Sequence, residues 1–347
     1  MKILFLCPTN PKYMPYLDNY LTVLNEFDVD FNLLIWDRFG IEKNEKNFIF
    51  RRGENKHQRG FLDYYYYSKF IEKHISENSY DKIICFGLQT AFFIKNILCS
   101  KFFNKFVLDI RDYNTIKKFY NFKKVISCSS CTVISSKGYI KWLPESDKYI
   151  VNHNFNFRDL SGVYDLNEKK IKKLSISSIG ALRDLKINVD FVYSLKNSSS
   201  INVNFHGRGD INSVLLSKTK GCENVYITGF YDKSEEAELY ANSHLINVLR
   251  YPDSLNNITA LPNRLYLAPY YGKPLFAFRG TYMSELIEFY NLGLVVDSFK
   301  DLEVKIIDYI ENFNFEKFNL SRLNFLNNVV SENLFFESSI RDFVSKI

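Results

Sequence analysis

The chain has 347 residues, 46% of them hydrophobic and 24% charged, with 24 Tyr and 32 Phe; this composition excludes an intrinsically disordered chain, and the length suits two domains better than one core. The net charge of +6 lies in the first half: residues 1–155 carry 23 Lys/Arg against 16 Asp/Glu (+7), leaving 22 against 23 (−1) for the rest. No run reaches the roughly 18 apolar residues of a membrane-crossing helix, and the six cysteines sit mostly in apolar segments, which suits reduced core thiols.

The opening MKILFLCPTN is too short for a signal-peptide core and reads as a buried strand, so the chain is expected to be cytoplasmic. Short apolar strands then alternate with amphipathic helical segments. In the first half strands are predicted at 2–7, 31–36, 82–87, 105–110, 131–136 and 148–152, with a helix over 88–100. The stretch 152–170 lacks periodicity and reads as a linker. Strands resume at 173–180, 201–207, 224–229, 244–249, 274–278 and 293–297, and the chain is helical after Asp297. The expectation is an α/β protein of two Rossmann-like, doubly wound domains facing a crevice, with a C-terminal helical tail. Its parts are 1–153 joined by a terminal helix over 331–347, a linker over 154–170, and a second domain over 171–330.

The basic clusters are RRGENKHQR (51–59), followed by FLDYYYYSKF, and a second around 101–124. Basic residues beside aromatics suit an anionic membrane surface, and equally a solvated loop and helix face. No recognised nucleic-acid motif accompanies them, so no nucleic acid is expected as a partner. CSSC at 128–131 leads into a strand and has no second pair to complete a zinc site; no metal site is expected.

Several constellations could carry chemistry. In SIGALRDLK the strand ends at Gly180, the turn holds Arg183, and Lys186 opens the next helix. A glycine and two cations at a strand end suit a diphosphate; a surface turn with incidental charge is the alternative. HGRGD places Gly207 in a turn toward the same crevice, without the full dinucleotide fingerprint. LDIRDYN puts Asp109, Arg111 and Asp112 past a strand end, where the carboxylates could bind an acceptor hydroxyl or orient a base, or where an Arg–Asp pair could close the loop. His153, at the linker, faces the crevice in this architecture, whereas His57, His74 and His244 read as surface or packing residues. In LPNRLYLAPYYGKPLFAF, Asn263 and Arg264 head a helix; they either cap it and reach to water, or hold an anion.

These stretches, with NVYITGFYDKSEEAELYANSHLINVL (224–249), resemble the GT-B glycosyltransferases, and above all glycosyltransferase family 4 and its relatives in capsule and O-antigen assembly. The resemblance covers nearly the whole chain. It implies a second domain that holds a nucleotide-sugar donor, UDP- or GDP-linked, a first domain that holds a glycan acceptor, lipid-linked, and a final helix that returns to the first domain. It implies no cofactor beyond the donor substrate, no metal, retention in preference to inversion, and a peripheral position on the inner face of the cell membrane. Arg183 and Lys186 correspond to the donor diphosphate clamp, and the 261–278 segment to the one whose helix start faces sugar and phosphates. Family 4 usually carries two glutamates eight positions apart; here Thr259 and Leu267 occupy those places, so ribose recognition must differ. The alternatives are a nucleotide-sugar 2-epimerase of the same fold and a non-catalytic bilobal sugar-binding protein.

Overall fold

The computed structural model describes residues 1–43, 47–53, 58–155, 159–164 and 173–346. The chain divides into two compact units, Met1–Arg158 with Ser331–Ile347, and Asp159–Val330. Much of the 154–170 stretch expected as a linker lies outside the described residues.

In the first unit the order is β1 (Lys2–Cys7), α1 (Leu17–Glu26), β2 (Asp30–Trp36), β3 (Phe48–Phe50), α2 (Phe61–Glu77), β4 (Lys82–Phe86), α3 (Leu88–Phe93), α4 (Lys95–Cys99), β5 (Phe106–Ile110), α5 (Lys123–Cys128), β6 (Cys131–Ile134) and β7 (Tyr149–Val151). The seven strands are parallel in the order β3-β2-β1-β4-β5-β6-β7. β1, β4 and β5 are buried along nearly their whole length, as strands covered on both faces must be, which is why they read as continuous apolar runs. The helix expected over 88–100 is two helices, broken at Ile94, whose backbone leaves helical geometry. β3 was not foreseen; three half-buried residues are too few for a periodic signal.

The second unit runs β8 (Leu174–Ile179), α6 (Leu185–Leu195), β9 (Ile201–His206), α7 (Asn212–Lys218), β10 (Val225–Gly229), α8 (Glu236–Ala241), β11 (Leu245–Asn247), α9 (Leu255–Thr259), α10 (Arg264–Tyr270), β12 (Leu275–Phe278), α11 (Tyr282–Phe289), β13 (Gly293–Val296), α12 (Leu302–Glu311) and, as far as Val330, α13 (Phe315–Ser345), whose remainder belongs to the first unit. Its six parallel strands lie in the order β10-β9-β8-β11-β12-β13. One face is packed by Ile176, Phe191, Val203, Phe205, Leu245 and Phe276. Pro269 ends α10 within a turn, and its carbonyl is taken by the buried Arg322 of α13 at 2.9 Å. Farther along α13, Phe336, Ile340 and Phe343 enter the core of the first unit.

Both sheets are doubly wound. Strand order reverses between β1 and β4 in one and between β8 and β11 in the other, and in such sheets ligands bind beyond the carboxyl ends of the strands at that reversal. The segments of interest therefore follow Cys7 and Phe86 in the first unit, and Ile179 and Asn247 in the second.

Candidate functional site

In the second unit, β8 ends in a turn built by close backbone approach. Gly180 adopts φ +104, and its N–H donates to the His206 carbonyl at 2.8 Å. Leu182 N–H donates to the Arg208 carbonyl at 3.2 Å. A Cβ at Gly207 would lie 1.8 Å from the Gly180 oxygen, and one at Gly209 would lie 1.7 Å from the Leu182 oxygen. Neither position tolerates a side chain, because the turns after β8 and β9 lie backbone on backbone. Gly207 thus serves packing, and its N–H is spent on the Gly229 carbonyl at 2.6 Å. This corrects the expectation that Gly207 presents itself to a ligand. Gly209, the second glycine of HGRGD, has the same role.

The paired turns project Arg183 and Lys186 outward; both are exposed. Lys186 Nζ stands 5.4 Å over the Tyr251 ring. Between them Asp184 takes a left-handed conformation (φ 60) and accepts from Arg250 Nε at 3.2 Å and Asn257 Nδ2 at 3.3 Å. Arg250 follows the end of β11, so the reversal point brings it to the β8 turn. Its place past a buried strand was a usable signal in the sequence.

Arg264 joins the same edge. Nη1 donates to the Asn247 carbonyl at 2.9 Å and Nη2 contacts the Ala181 carbonyl at 3.4 Å, tying the end of β11 to the β8 turn. No carboxylate lies within ion-pair reach of it among the described residues. Burial pushes its pKa down, and the like charge of Arg250 adds to this against Tyr240 and Asp184. A guanidinium held by neutral carbonyls beside other cations is a site that gains from an anion.

One further expectation at this edge, for Thr259, is corrected, and of the two readings of Asn263 the capping one is removed. Thr259 is wholly buried at the end of α9 and its hydroxyl donates to the Leu255 carbonyl at 2.6 Å, a helix back-bond that takes it out of ligand reach. Asn263 is exposed and makes no side-chain cap; its backbone is already helical (φ −57, ψ −30), so only its carbonyl serves α10.

In the first unit Asp109 is not exposed at all. Its carboxylate accepts Arg111 Nε and Nη2, both at 2.6 Å, and the Tyr20 hydroxyl at 2.6 Å. Arg111 continues to the Asn152 carbonyl at 2.9 Å and lies 4.2 Å over the Tyr16 ring. Burial works to lower the Arg111 pKa, and the Asp109 charge outweighs it and raises it. The expectation of an acceptor-facing Asp109 is therefore corrected: residues 109 and 111 share one strand face and close on each other in the interior. Asp112 is exposed past the strand end.

His153, expected to face a crevice, is also buried. Its Nε2 lies 2.7 Å from Glu332 on α13, whose other oxygen meets Lys137 at 2.5 Å. Burial alone would raise the Glu332 pKa; hydrogen bonds and charge from His153 and Lys137 hold it down to about 2. A carboxylate depressed in the folded state stabilises fully above its unfolded value of 4.5, and that stability is lost as pH falls toward 2. Glu332→Gln is expected to cost about 3 kcal/mol at neutral pH, with the difference from the parent vanishing near pH 2. Urea titrations across that range check it; a pH-independent difference would contradict the assignment.

The basic segment after β3 is largely engaged. Arg51 pairs with Asp37 at 2.8 Å, and Arg52 pairs with Asp63 at 3.3 Å and lies 3.8 Å over the Tyr66 ring. Arg59 donates to the Arg38 carbonyl at 3.1 Å. Lys56 and His57 lie outside the described residues. The exposed feature is apolar: Phe61 and Leu62, 64% and 67% exposed, with Tyr65 and Tyr66 on the first turns of α2. No described helix is long and apolar enough to cross a membrane.

No sequence-family profile matches the chain, and no curated protein matches it in sequence. Solved structures do. The lipopolysaccharide outer core galactosyltransferase WaaB, in its apo form, superposes with a TM-score of 0.66 at 13% identity over 97% of this chain and 99% of that one. A glycosyltransferase from Rickettsia africae ESF-5 gives 0.65 at 15% identity over 100% and 99%. Anabaena Alr3699/HepE in complex with UDP and glucose gives 0.64 at 14% identity over 100% of both chains. At such identities the likeness is one of fold, and the chain has the GT-B fold that these glycosyltransferases share, as its motifs led us to expect.

Proposed function

We propose that the protein is a glycosyltransferase that moves a sugar from a nucleoside diphosphate donor, UDP- or GDP-linked and bound by the second unit, to a lipid-linked glycan acceptor handled by the first, in the assembly of bacterial capsule or O-antigen. The observation that carries this reading is the cation-bearing edge of the second sheet, where the turn after Gly180 offers Arg183 and Lys186, and Arg264 touches the same turn without a carboxylate partner among the described residues. Charge develops on the leaving diphosphate as the glycosidic bond breaks, and cations preorganised by backbone contacts stabilise it without reorganising. In this reading these groups do the work without a metal, and the transfer retains anomeric configuration. The UDP and glucose held by the Anabaena neighbour, and the lipopolysaccharide role of WaaB, support the choice of donor and pathway. Incubation with a panel of nucleotide sugars, with and without EDTA, tests it. One or a few are expected to raise the thermal midpoint and release nucleoside diphosphate in both conditions; a panel with no effect on either would overturn it.

A lipid-linked acceptor goes with a peripheral position on the cytoplasmic face of the membrane. Phe61, Leu62, Tyr65 and Tyr66 would enter the headgroup layer, with the basic segment 51–59 beside them. Sedimentation with acidic liposomes is expected, weakening with salt and lost in Phe61→Ser/Leu62→Ser. Equal binding to neutral and acidic liposomes, or to neither, would contradict this placement.

A further inference from the structure

The second unit holds a group of polar side chains that the donor reading leaves unused. Glu236, the first residue of α8, is half-buried. One of its oxygens meets the Tyr231 hydroxyl and the other the Tyr271 hydroxyl, both at 3.3 Å. A hydroxyl normally approaches a carboxylate to about 2.5–2.7 Å, so both contacts are loose and lone pairs remain on each oxygen. No cation lies within ion-pair reach of Glu236 among the described residues.

A second observation is independent of these contacts. Tyr240 is wholly buried and stacks on Tyr271 at 4.5 Å, yet its hydroxyl has no hydrogen-bond partner among the described residues. Buried hydroxyls are nearly always paired, so this one lacks something that a ligand would supply. Burial, then the Glu236 charge, pushes the Tyr231 hydroxyl up to about 12; Tyr240 is raised as well, again by burial first. Both are neutral donors at physiological pH. Arg264 and Glu236 both act electrostatically on Tyr231 and Tyr240, and a Cβ at Gly180 would lie 3.9 Å from the Tyr231 oxygen. The group therefore adjoins the cationic edge.

An unsaturated carboxylate repels phosphate and accepts O–H donors, and its two oxygens match two adjacent hydroxyls. We propose that Glu236, with Tyr231, Tyr240 and Tyr271, is a subsite for a vicinal diol of the nucleotide sugar, beside the cations that would hold its phosphates. This rests on the donor reading above. The diol belongs either to the ribose or to the transferred sugar, and the experiment separates these.

Calorimetric affinities would be measured for pyrophosphate, UDP, GDP, their 2′-deoxy forms and UDP-glucose, using the full chain and the variants Glu236→Ala and Tyr240→Phe. Glu236→Ala is expected to keep pyrophosphate affinity and to lose about tenfold or more toward ligands that carry the diol. For a ribose diol the loss appears with UDP or GDP and the preference over the 2′-deoxy form disappears; for a transferred-sugar diol it appears only with UDP-glucose. Tyr240→Phe is expected to weaken the same ligands without lowering the thermal midpoint of the ligand-free protein, because it removes a hydroxyl with no partner. Parent-like affinities in both variants overturn the subsite, as does an equal loss toward pyrophosphate. Pyrophosphate binding by the parent with no preference for any nucleotide overturns the subsite and leaves the cationic edge standing, whereas a parent that binds none of these ligands overturns the donor reading and the subsite together.

Discussion

Asp109→Asn is expected to destabilise the first unit by about 3–5 kcal/mol, the cost of leaving a buried guanidinium without its counter-charge. Arg111 donates twice to that carboxylate and reaches the Asn152 carbonyl from the same position, so the variant also loosens the segment after β7. Urea unfolding followed by circular dichroism measures the loss. The pair can be separated from any catalytic role by Asp109→Leu/Arg111→Met: replacing both charges with apolar groups of similar volume is expected to recover much of the stability. A single variant within about 0.5 kcal/mol of the parent would mean that the pair is dispensable to the fold, and would return Asp109 to the candidate acceptor groups. Tyr20→Phe, which removes one hydrogen bond to the same carboxylate, should cost less.

The second large effect concerns binding. Arg183→Ala and Lys186→Ala are each expected to reduce nucleoside diphosphate affinity by about tenfold or more, since a hydrogen bond to a charged group is worth roughly 1.5–3 kcal/mol. Both side chains are exposed, so the unfolding midpoint should not move. The double variant is expected to bind UDP and GDP only weakly, with less than additive loss if the two cations share one phosphate. Parent-like affinity in the double variant would show that the turn after Gly180 is not the phosphate site and would leave Arg264 and Arg250 as the remaining cations of that edge.

The sequence by itself determined the architecture. Fully covered parallel strands must be apolar along their whole length, so KILFLC, KIICFG and PLFAF announce themselves by composition, and their alternation with helical segments leads to two doubly wound sheets. It also marked the edge of interest, because Gly180, Arg183 and Arg264 lie where a strand or turn meets a helix. Only the tertiary structure decided what those neighbours do. Asp109 and Arg111 share a strand face by the two-residue period, but their closure as an interior pair depends on Tyr20, 89 residues away, and on Asn152. Gly207 looks like a ligand-facing glycine until the Gly180 carbonyl is found where its side chain would be. Glu236 reads as one more acidic residue in DKSEEAEL, and only the approach of Tyr271, just past α10, and the hydroxyl of Tyr240, unpaired among the described residues, set it apart. Strand and helix signals are local, arising from periods of two and 3.6 residues. The state of a polar group is set by which distant side chains reach it, and that is a property of packing.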